Sequence, residues 1–221
     1  MRRWVVLTTA VVSLAGCGSP TERSRSATPS PSASSAPAVN KTNIIRVRAA
    51  LPAGYEVGEL TGPVSAAGLW GFGAGWVADP PQCAPLADPA PADRAARGLS
   101  ASGPGGAVFV VAASGPEGAP EAELLDQCGR WAMSFGYTSA EVTRTEGPVI
   151  ERAQTIAWRA SARTVVESGS ATTADAVTAV AYFERHIAVV TLVTDPGSPH
   201  PPLDSGFVAG LLAATVAALR G

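Results

Sequence analysis

The sequence predicts an α+β domain in which helices pack against a twisted antiparallel sheet, preceded by a signal peptide and a disordered tether. Segments rich in Val, Thr, Ala and aromatic residues recur between Gly, Pro and Ser turns in the second half of the chain, as in a meander of strands. A helical stripe of apolar residues closes the chain. Helices beside an antiparallel meander bury this stripe against the sheet.

The first residues have the layout of a secretory signal. Arg2 and Arg3 precede an apolar run over residues 4–14, and Leu-Ala-Gly stands directly before Cys17. The run is shorter than the roughly twenty apolar residues of a membrane-spanning helix. We therefore expect residues 1–16 to be a signal peptide.

The end of this signal resembles a bacterial lipobox. The resemblance implies that Cys17 receives a diacylglyceryl group, is acylated as the first residue of the mature protein, and anchors the chain to the cell membrane on its extracytoplasmic face. An ordinary secretory signal that happens to end at a cysteine is the alternative. The partner expected on this basis is the membrane, reached through the lipid.

The next segment is too polar to fold. Between residues 18 and 40, Ser, Ala, Pro and Thr dominate, and no large apolar residue occurs before Val39. Such a segment cannot bury enough surface to offset the entropy of ordering it. We predict a disordered tether over residues 17–41, with a root-mean-square reach of about 25 Å.

Charge excludes one class of partner. Loss of Arg2 and Arg3 changes the formal net charge from −2 to about −4, and Lys41 is the single lysine of the chain. Without a run of Lys and Arg, we expect no nucleic-acid partner.

Two cysteines remain once Cys17 carries lipid. Cys83 and Cys128 would lie in an oxidising compartment, where a disulfide is expected. Two buried free thiols are the alternative. A metal pair is disfavoured because neither cysteine has a CxxC partner or a nearby histidine. We expect no metal and no cofactor.

A single folded domain is predicted over residues 42–221. Its helices are predicted at 120–134 and 203–219, with a short helical turn at 79–86 that carries Cys83. A hairpin is expected to turn at Glu184 and Arg185. At 51–57 a Pro/Gly turn is expected to lead into a second short extended piece. The predicted strands are 43–49, 107–113, 140–144, 157–167, 176–184 and 186–194.

An aromatic cluster lies in the glycine-rich segment 68–76. Trp70, Phe72 and Trp76 stand among too many glycines for a regular strand or helix. One interpretation is a loop whose aromatic side chains cover the core. The other is the mouth of a hydrophobic ligand site.

Catalytic patterns are sparse. His200 has Asp195 and Asp204 near it in sequence, which allows an acid/base or metal cluster, although such groups more often bond to local backbone. No GxSxG motif is present, and the turn at 103–106 lacks the helix and GK[ST] of a phosphate loop. We therefore expect a protein that is not an enzyme.

Three segments, WGFGAGWVADPPQC at 70–83, DQCGRW at 126–131 and VTDPGSPHPPLD at 193–204, resemble a family of mycobacterial and related actinobacterial lipoproteins of unassigned function. These domains are similar, more distantly, to the extracellular sensor-type domain of a mycobacterial serine/threonine kinase. That resemblance implies an α+β fold with an antiparallel sheet and a cleft. The kinase domain is expected to carry two disulfides, whereas this chain has one cysteine pair, and fold analogy does not transfer function.

Together these observations favour a non-enzymatic, membrane-anchored envelope lipoprotein that binds a small or lipidic ligand or an envelope protein. Two alternatives remain. One is an envelope hydrolase using His200 with Asp195 or Asp204, and the other is a structural or assembly lipoprotein.

Overall fold

The computed structural model describes residues 38–90 and 93–221. These residues form one compact unit, which contains two hydrophobic cores. The predicted signal peptide, Cys17 and all of the predicted tether before residue 38 lie outside the described residues. In the described ranges, no helix is long and apolar enough to span a bilayer.

Nine antiparallel strands form one sheet, which confirms the predicted α+β fold. Their spatial order is β1-β3-β4-β9-β8-β7-β6-β5-β2. The strands are β1 (Glu56–Thr61), β2 (Val77–Asp79), β3 (Arg97–Gly103), β4 (Gly106–Ser114), β5 (Arg130–Phe135), β6 (Thr138–Thr145), β7 (Gln154–Val165), β8 (Ala171–Phe183) and β9 (His186–Thr194).

Helices are few, and most are short. The α-helices are α1 (Ala66–Leu69), α2 (Ala84–Ala87), α3 (Ala122–Gln127) and α4 (Ser205–Arg220), and the 3-10 helices are Lys41–Ala50 and Pro81–Cys83. Asp204 caps α4 by accepting a hydrogen bond from the N–H of Phe207 (2.8 Å). The predicted C-terminal helix and the predicted helical turn around Cys83 are confirmed.

The two faces of the sheet carry separate cores. One core lies under the segment between β1 and β3, and it includes Trp70, Phe72, Met133 and Trp158. The other lies under α4 and the first 3-10 helix, and it includes Leu99, Val110, Leu192, Leu212 and Val216. Successive residues of β4 and β9 alternate between the cores, as the period of two in a strand requires.

The face of the sheet that α4 covers changes from apolar to polar between β8 and β7. Leu192, Val177, Arg159, Thr143 and Arg130 are successive partners across β9, β8, β7, β6 and β5 and form one row. The row is apolar where α4 contacts β8 and β9, and becomes polar at β7. Half of this face is therefore solvated, as is common in antiparallel sheets.

The prediction of a strand at 43–49 was wrong. This segment lies in the 3-10 helix Lys41–Ala50, whose buried residues are Ile44 and Val47. Their spacing of three residues matches the period of a 3-10 helix, and both pack in the core beneath α4. Asn40 caps the helix, accepting a hydrogen bond from the N–H of Thr42 (3.0 Å), and its own N–H donates to the carbonyl of Leu219 (2.9 Å).

The predicted helix at 120–134 was correct only in its first part. Helix α3 ends at Gln127, and β5 begins at Arg130. Trp131 and Met133 are both buried, because they lie two residues apart on the inward face of a strand. The strand gains ladder hydrogen bonds on both sides, from β6 and β2.

The later strands agree with the sequence predictions within a few residues at their ends. β8 and β9 form the predicted hairpin, and Glu184 and Arg185 at its turn have φ of 48° and 61°. Two residues of positive φ are typical of the type I′ turns that join closely paired strands. β1 begins in the short extended piece predicted at the end of 51–57 and lies mostly beyond it, and β2 and β3 were not predicted.

Candidate functional site

Cys83 and Cys128 form the predicted disulfide, with sulfur atoms 2.00 Å apart. Both residues are fully buried. The bond joins the 3-10 turn Pro81–Cys83 to the end of α3 and lies within the core that contains Trp70. It therefore fastens the segment between β1 and β3 to the remainder of the sheet.

The three aromatic residues of the glycine-rich segment lie mainly against the core. Trp70 and Phe72 are each 4% exposed, and Trp76 is half-buried. The indole Nε1–H of Trp70 donates to the hydroxyl of Thr178 (2.9 Å), which in turn lies 2.9 Å from the hydroxyl of Thr191. Polar pairing of this kind fixes the position of a buried indole.

A groove of about 500 Å³ lies beside Trp70. This volume is within the range of small-molecule sites. Its walls come from the two residues that follow α1, the start of β4, and the adjoining ends of β7, β8 and β9, which the sheet order brings together. Apolar groups line it at Trp70, Ala107, Ala162, Ala174 and Val193, and hydroxyl groups at Thr164, Thr172 and Thr194. Neither Phe72 nor Trp76 lines this groove.

A second cavity of about 250 Å³ adjoins the first. The turn at 103–106 and the loop after β9 line it, including Asp195, Ser198 and His200. Both cavities share Gly106, Thr194 and Asp195. The structure therefore places His200 and Asp195 on one cavity wall, where the sequence allowed a cluster.

The carboxylates near His200 accept hydrogen bonds from backbone N–H groups. Asp195 Oδ1 accepts a hydrogen bond from the N–H of Gly197 (2.8 Å), and Asp204 caps α4. The N–H of His200 donates to Ser198 Oγ (3.3 Å). In the described ranges, no group of three His, Cys, Asp or Glu residues could hold a metal ion.

Lys41 has a structural contact that the sequence did not predict. Its ammonium group donates to Asp93 Oδ2 (2.8 Å) and to Ser114 Oγ (3.0 Å), and the N–H of Ser114 donates to the same carboxylate oxygen (2.6 Å). A serine hydroxyl beside a lysine is a catalytic pattern only when the lysine is neutral and can act as a base. Here the lysine is bonded to the Asp93 carboxylate, so the trio serves to fasten the first 3-10 helix to β4.

Burial raises the pKa of the Asp93 carboxyl, but the hydrogen bonds from Lys41, Ser114 and Ala95 outweigh it and hold the pKa well below its usual value. Asp88 has the opposite balance. Burial raises its pKa, and the hydrogen bond from Ser65 (2.7 Å) offsets this only in part. Asp88 Oδ1 is buried without a hydrogen-bond partner in the described chain, against a small apolar pocket.

Residues 40–220 of the chain match the model of a family described as Domain of unknown function (DUF5642). The fold is similar to the X-ray structure of an uncharacterized protein from Mycobacterium smegmatis, an Rv0999 ortholog. The TM-score is 0.63 and the sequence identity 22%, over 84% of this chain and 99% of that chain. At this identity the likeness concerns the fold. No curated protein matches the chain.

Proposed function

The chain belongs to the DUF5642 family, whose description assigns no function, and we propose from its own residues that it is a lipid-anchored envelope protein that binds a small or lipidic ligand without acting as an enzyme. The groove of about 500 Å³ beside Trp70 carries this proposal. Apolar groups form most of its wall, and a few hydroxyl groups and one carboxylate converge on it, as in many ligand sites.

The chemistry around the groove supports binding more than catalysis. A hydrolytic site needs a nucleophile or water held by a base, with the base oriented by a third group. Asp195 and Asp204 instead accept hydrogen bonds from backbone N–H groups, and Lys41 is paired with Asp93. The enzyme alternative therefore has no assembled set of groups in the described chain to support it.

Two observations support export and anchoring. The lipobox-like sequence ends at Cys17, outside the described residues. The disulfide between Cys83 and Cys128 is typical of proteins in oxidising compartments. The antiparallel sheet and the adjoining groove support the proposed likeness to the extracellular sensor-type domain of a mycobacterial serine/threonine kinase.

Native mass spectrometry tests the proposal. The protein is purified from its own envelope in mild detergent, and its native mass is compared with the mass of the same sample after denaturation. We expect a discrete extra mass in the native sample that denaturation releases. The denatured protein should begin at Cys17 and carry the added mass of its acyl chains. A native mass equal to the denatured mass contradicts ligand binding, and an unmodified Cys17 contradicts lipid anchoring.

A further inference from the structure

The two cavities share three lining residues, Gly106, Thr194 and Asp195, and together they are called the bipartite groove. The larger part, about 500 Å³, has mostly apolar walls. The smaller part, about 250 Å³, has a mixed lining of glycine backbone, the prolines Pro104, Pro199 and Pro202, Ser198 and His200. Asp195 and Thr194 stand where the parts meet. A groove that is mostly apolar at one end and more polar at the other matches an amphiphilic molecule.

The loop that carries the polar part is held in place. The N–H of Ser198 donates to the carbonyl of Asp195 (3.0 Å), and the N–H of Leu203 donates to the carbonyl of Gly105 (3.0 Å). The hydroxyl of Tyr55 accepts a hydrogen bond from the N–H of Gly105 (2.8 Å), so the β3–β4 turn is fixed as well. The walls of the polar part are therefore preorganised, which lowers the entropic cost of binding.

Charge along the groove restricts the polar group of the ligand. Asp195 is the one carboxylate among the residues that line the two parts, and no Lys or Arg lines either part. Its Oδ1 accepts from the N–H of Gly197, and no hydrogen bond to its Oδ2 is present among the described residues. A phosphate or carboxylate placed beside Asp195 meets like charge without a compensating cation, which disfavours anionic headgroups.

Hydroxyl groups extend this chemistry. The hydroxyl groups of Thr172, Thr173 and Ser198 can donate or accept a hydrogen bond, and His200 adds a ring that can do both. Those of Thr164 and Thr194 already bond to Thr138 and to the carbonyl of Asp175. The Asp195 carboxylate attracts a quaternary ammonium group, but this group has no hydrogen to donate and leaves the hydroxyl groups and the imidazole unused. A ligand hydroxyl can donate to Asp195 and accept from the threonines or serine.

We propose that this bipartite groove binds an amphiphile with an uncharged, hydroxyl-bearing headgroup. Its apolar chain lies on Trp70, Ala162 and Ala174, and its hydroxyl groups lie between Asp195 and His200. The inference rests on the proposed ligand-binding function and deepens it by naming the ligand class.

Three probes with the same dodecyl chain and different headgroups test the proposal: dodecyl maltoside, dodecyl phosphate and dodecyltrimethylammonium. Their binding to residues 37–221, the compact unit with its disulfide intact, is measured by isothermal titration calorimetry below each critical micelle concentration. We expect the maltoside to bind most tightly and the phosphate about tenfold or more weakly. Equal affinities for all three, or preference for either charged probe, overturn the inference about the headgroup.

The variant Asp195→Asn isolates the carboxylate. Asparagine keeps an oxygen for the N–H of Gly197, so the loop should fold as before. We expect the preference for maltoside over phosphate to fall by about tenfold. Glu117→Gln is the matched control, because it removes the same charge from an exposed residue that lines neither part, and it should leave the preference unchanged. An unchanged preference in Asp195→Asn contradicts the role of the carboxylate.

The outcomes separate the two proposals. If all three probes bind in the groove with similar affinity, ligand binding stands and the proposed headgroup is wrong. If none binds, and the protein from its own envelope carries no ligand, both proposals fail. A probe that binds equally well to Ala174→Phe lies outside the groove, and its preference then does not support the inference.

Discussion

The indole N–H of Trp70 donates a hydrogen bond to the hydroxyl of Thr178, a residue 108 positions later in the chain, in the middle of β8. Both residues are almost fully buried. Because the glycine-rich segment around Trp70 has little regular structure, this contact and the neighbouring disulfide determine where the segment lies on the sheet.

We predict that Thr178→Val destabilises the protein by about 1 to 3 kcal/mol, because the buried indole N–H loses its partner. Urea unfolding with the disulfide intact measures the free energy of unfolding. Thr215→Val is the control. Thr215 is also fully buried, but its hydroxyl donates to the carbonyl of Leu211 (2.7 Å), which the α4 ladder already engages. Equal effects of the two substitutions would show that the contact with Trp70 has no special value.

We predict that the double variant Cys83→Ala and Cys128→Ala loses about 2 to 5 kcal/mol of unfolding free energy. The cysteines are 45 residues apart, and the chain-entropy model gives about 4 kcal/mol for a loop of this length. The measurement is urea unfolding of the variant beside the oxidised wild type. Reduction of the wild-type protein with dithiothreitol should lower its stability toward that of the variant, and leave the variant unaffected. A variant as stable as the oxidised protein contradicts the clamp.

We predict that the ion pair between Lys41 and Asp93 makes folding sensitive to acid. The pKa of Asp93 is lower in the folded protein than in the unfolded chain, so the folded state binds this proton less tightly. The stabilisation is complete above the ordinary pKa of an aspartate, about 4, and is lost as the pH falls below it. The unfolding free energy, measured from about pH 5 to pH 2, should fall more steeply in wild type than in Asp93→Asn.

Asp126→Asn serves as the control for this pH series. Asp126 pairs with Arg144 at 3.2 Å, but its side chain is 75% exposed, so the pair should contribute little. This variant should follow the wild-type pH profile, and parallel profiles for all three proteins would contradict the proposed role of Asp93.

We predict that Ala174→Phe blocks the groove beside Trp70 and releases the native ligand. Ala174 is half-buried and lines the groove, so a larger side chain can fill that space. Native mass spectrometry should find the variant without the extra mass. Ala132→Phe is the matched control on the solvated half of the opposite face, where Ala132 is exposed, and it should keep the ligand. A ligand retained by Ala174→Phe must lie elsewhere.

Much of the sheet could be predicted because the later strands have strong local signals. β9 and the end of β8 are long runs of β-branched and small apolar residues, and Glu184 and Arg185 separate them by a two-residue turn. Helix α4 could be predicted from its stripe and from its capping residue, Asp204. These patterns involve residues that are close together in the sequence, so they can be recognised without the structure.

The failures arose where tertiary contacts compete with a weak local pattern. Trp131 matched the helical stripe through Cys128, yet Gly129 interrupts that helix, and the alternation of Trp131 and Met133 is the strand signal. Ile44 and Val47 have the spacing of a 3-10 turn as well as a place in a β-branched run. Lys41 bonds to residues far from it in sequence, and His200 lies near the groove because distant strands meet there. No local pattern could predict either contact.

The hydrogen bond from Asn40 to Leu219 fixes the end of the domain at which the described chain begins. It sets the start of the described chain beside the last turn of α4, while Lys41 meets Ser114 at the end of β4. Gly106, at the opposite end of β4, borders the groove, about 25 to 30 Å away along the strand. The described chain therefore begins at one end of the domain, and the groove lies at the other end. A domain immobilised on a sensor chip through the start of the described chain should keep the opening accessible.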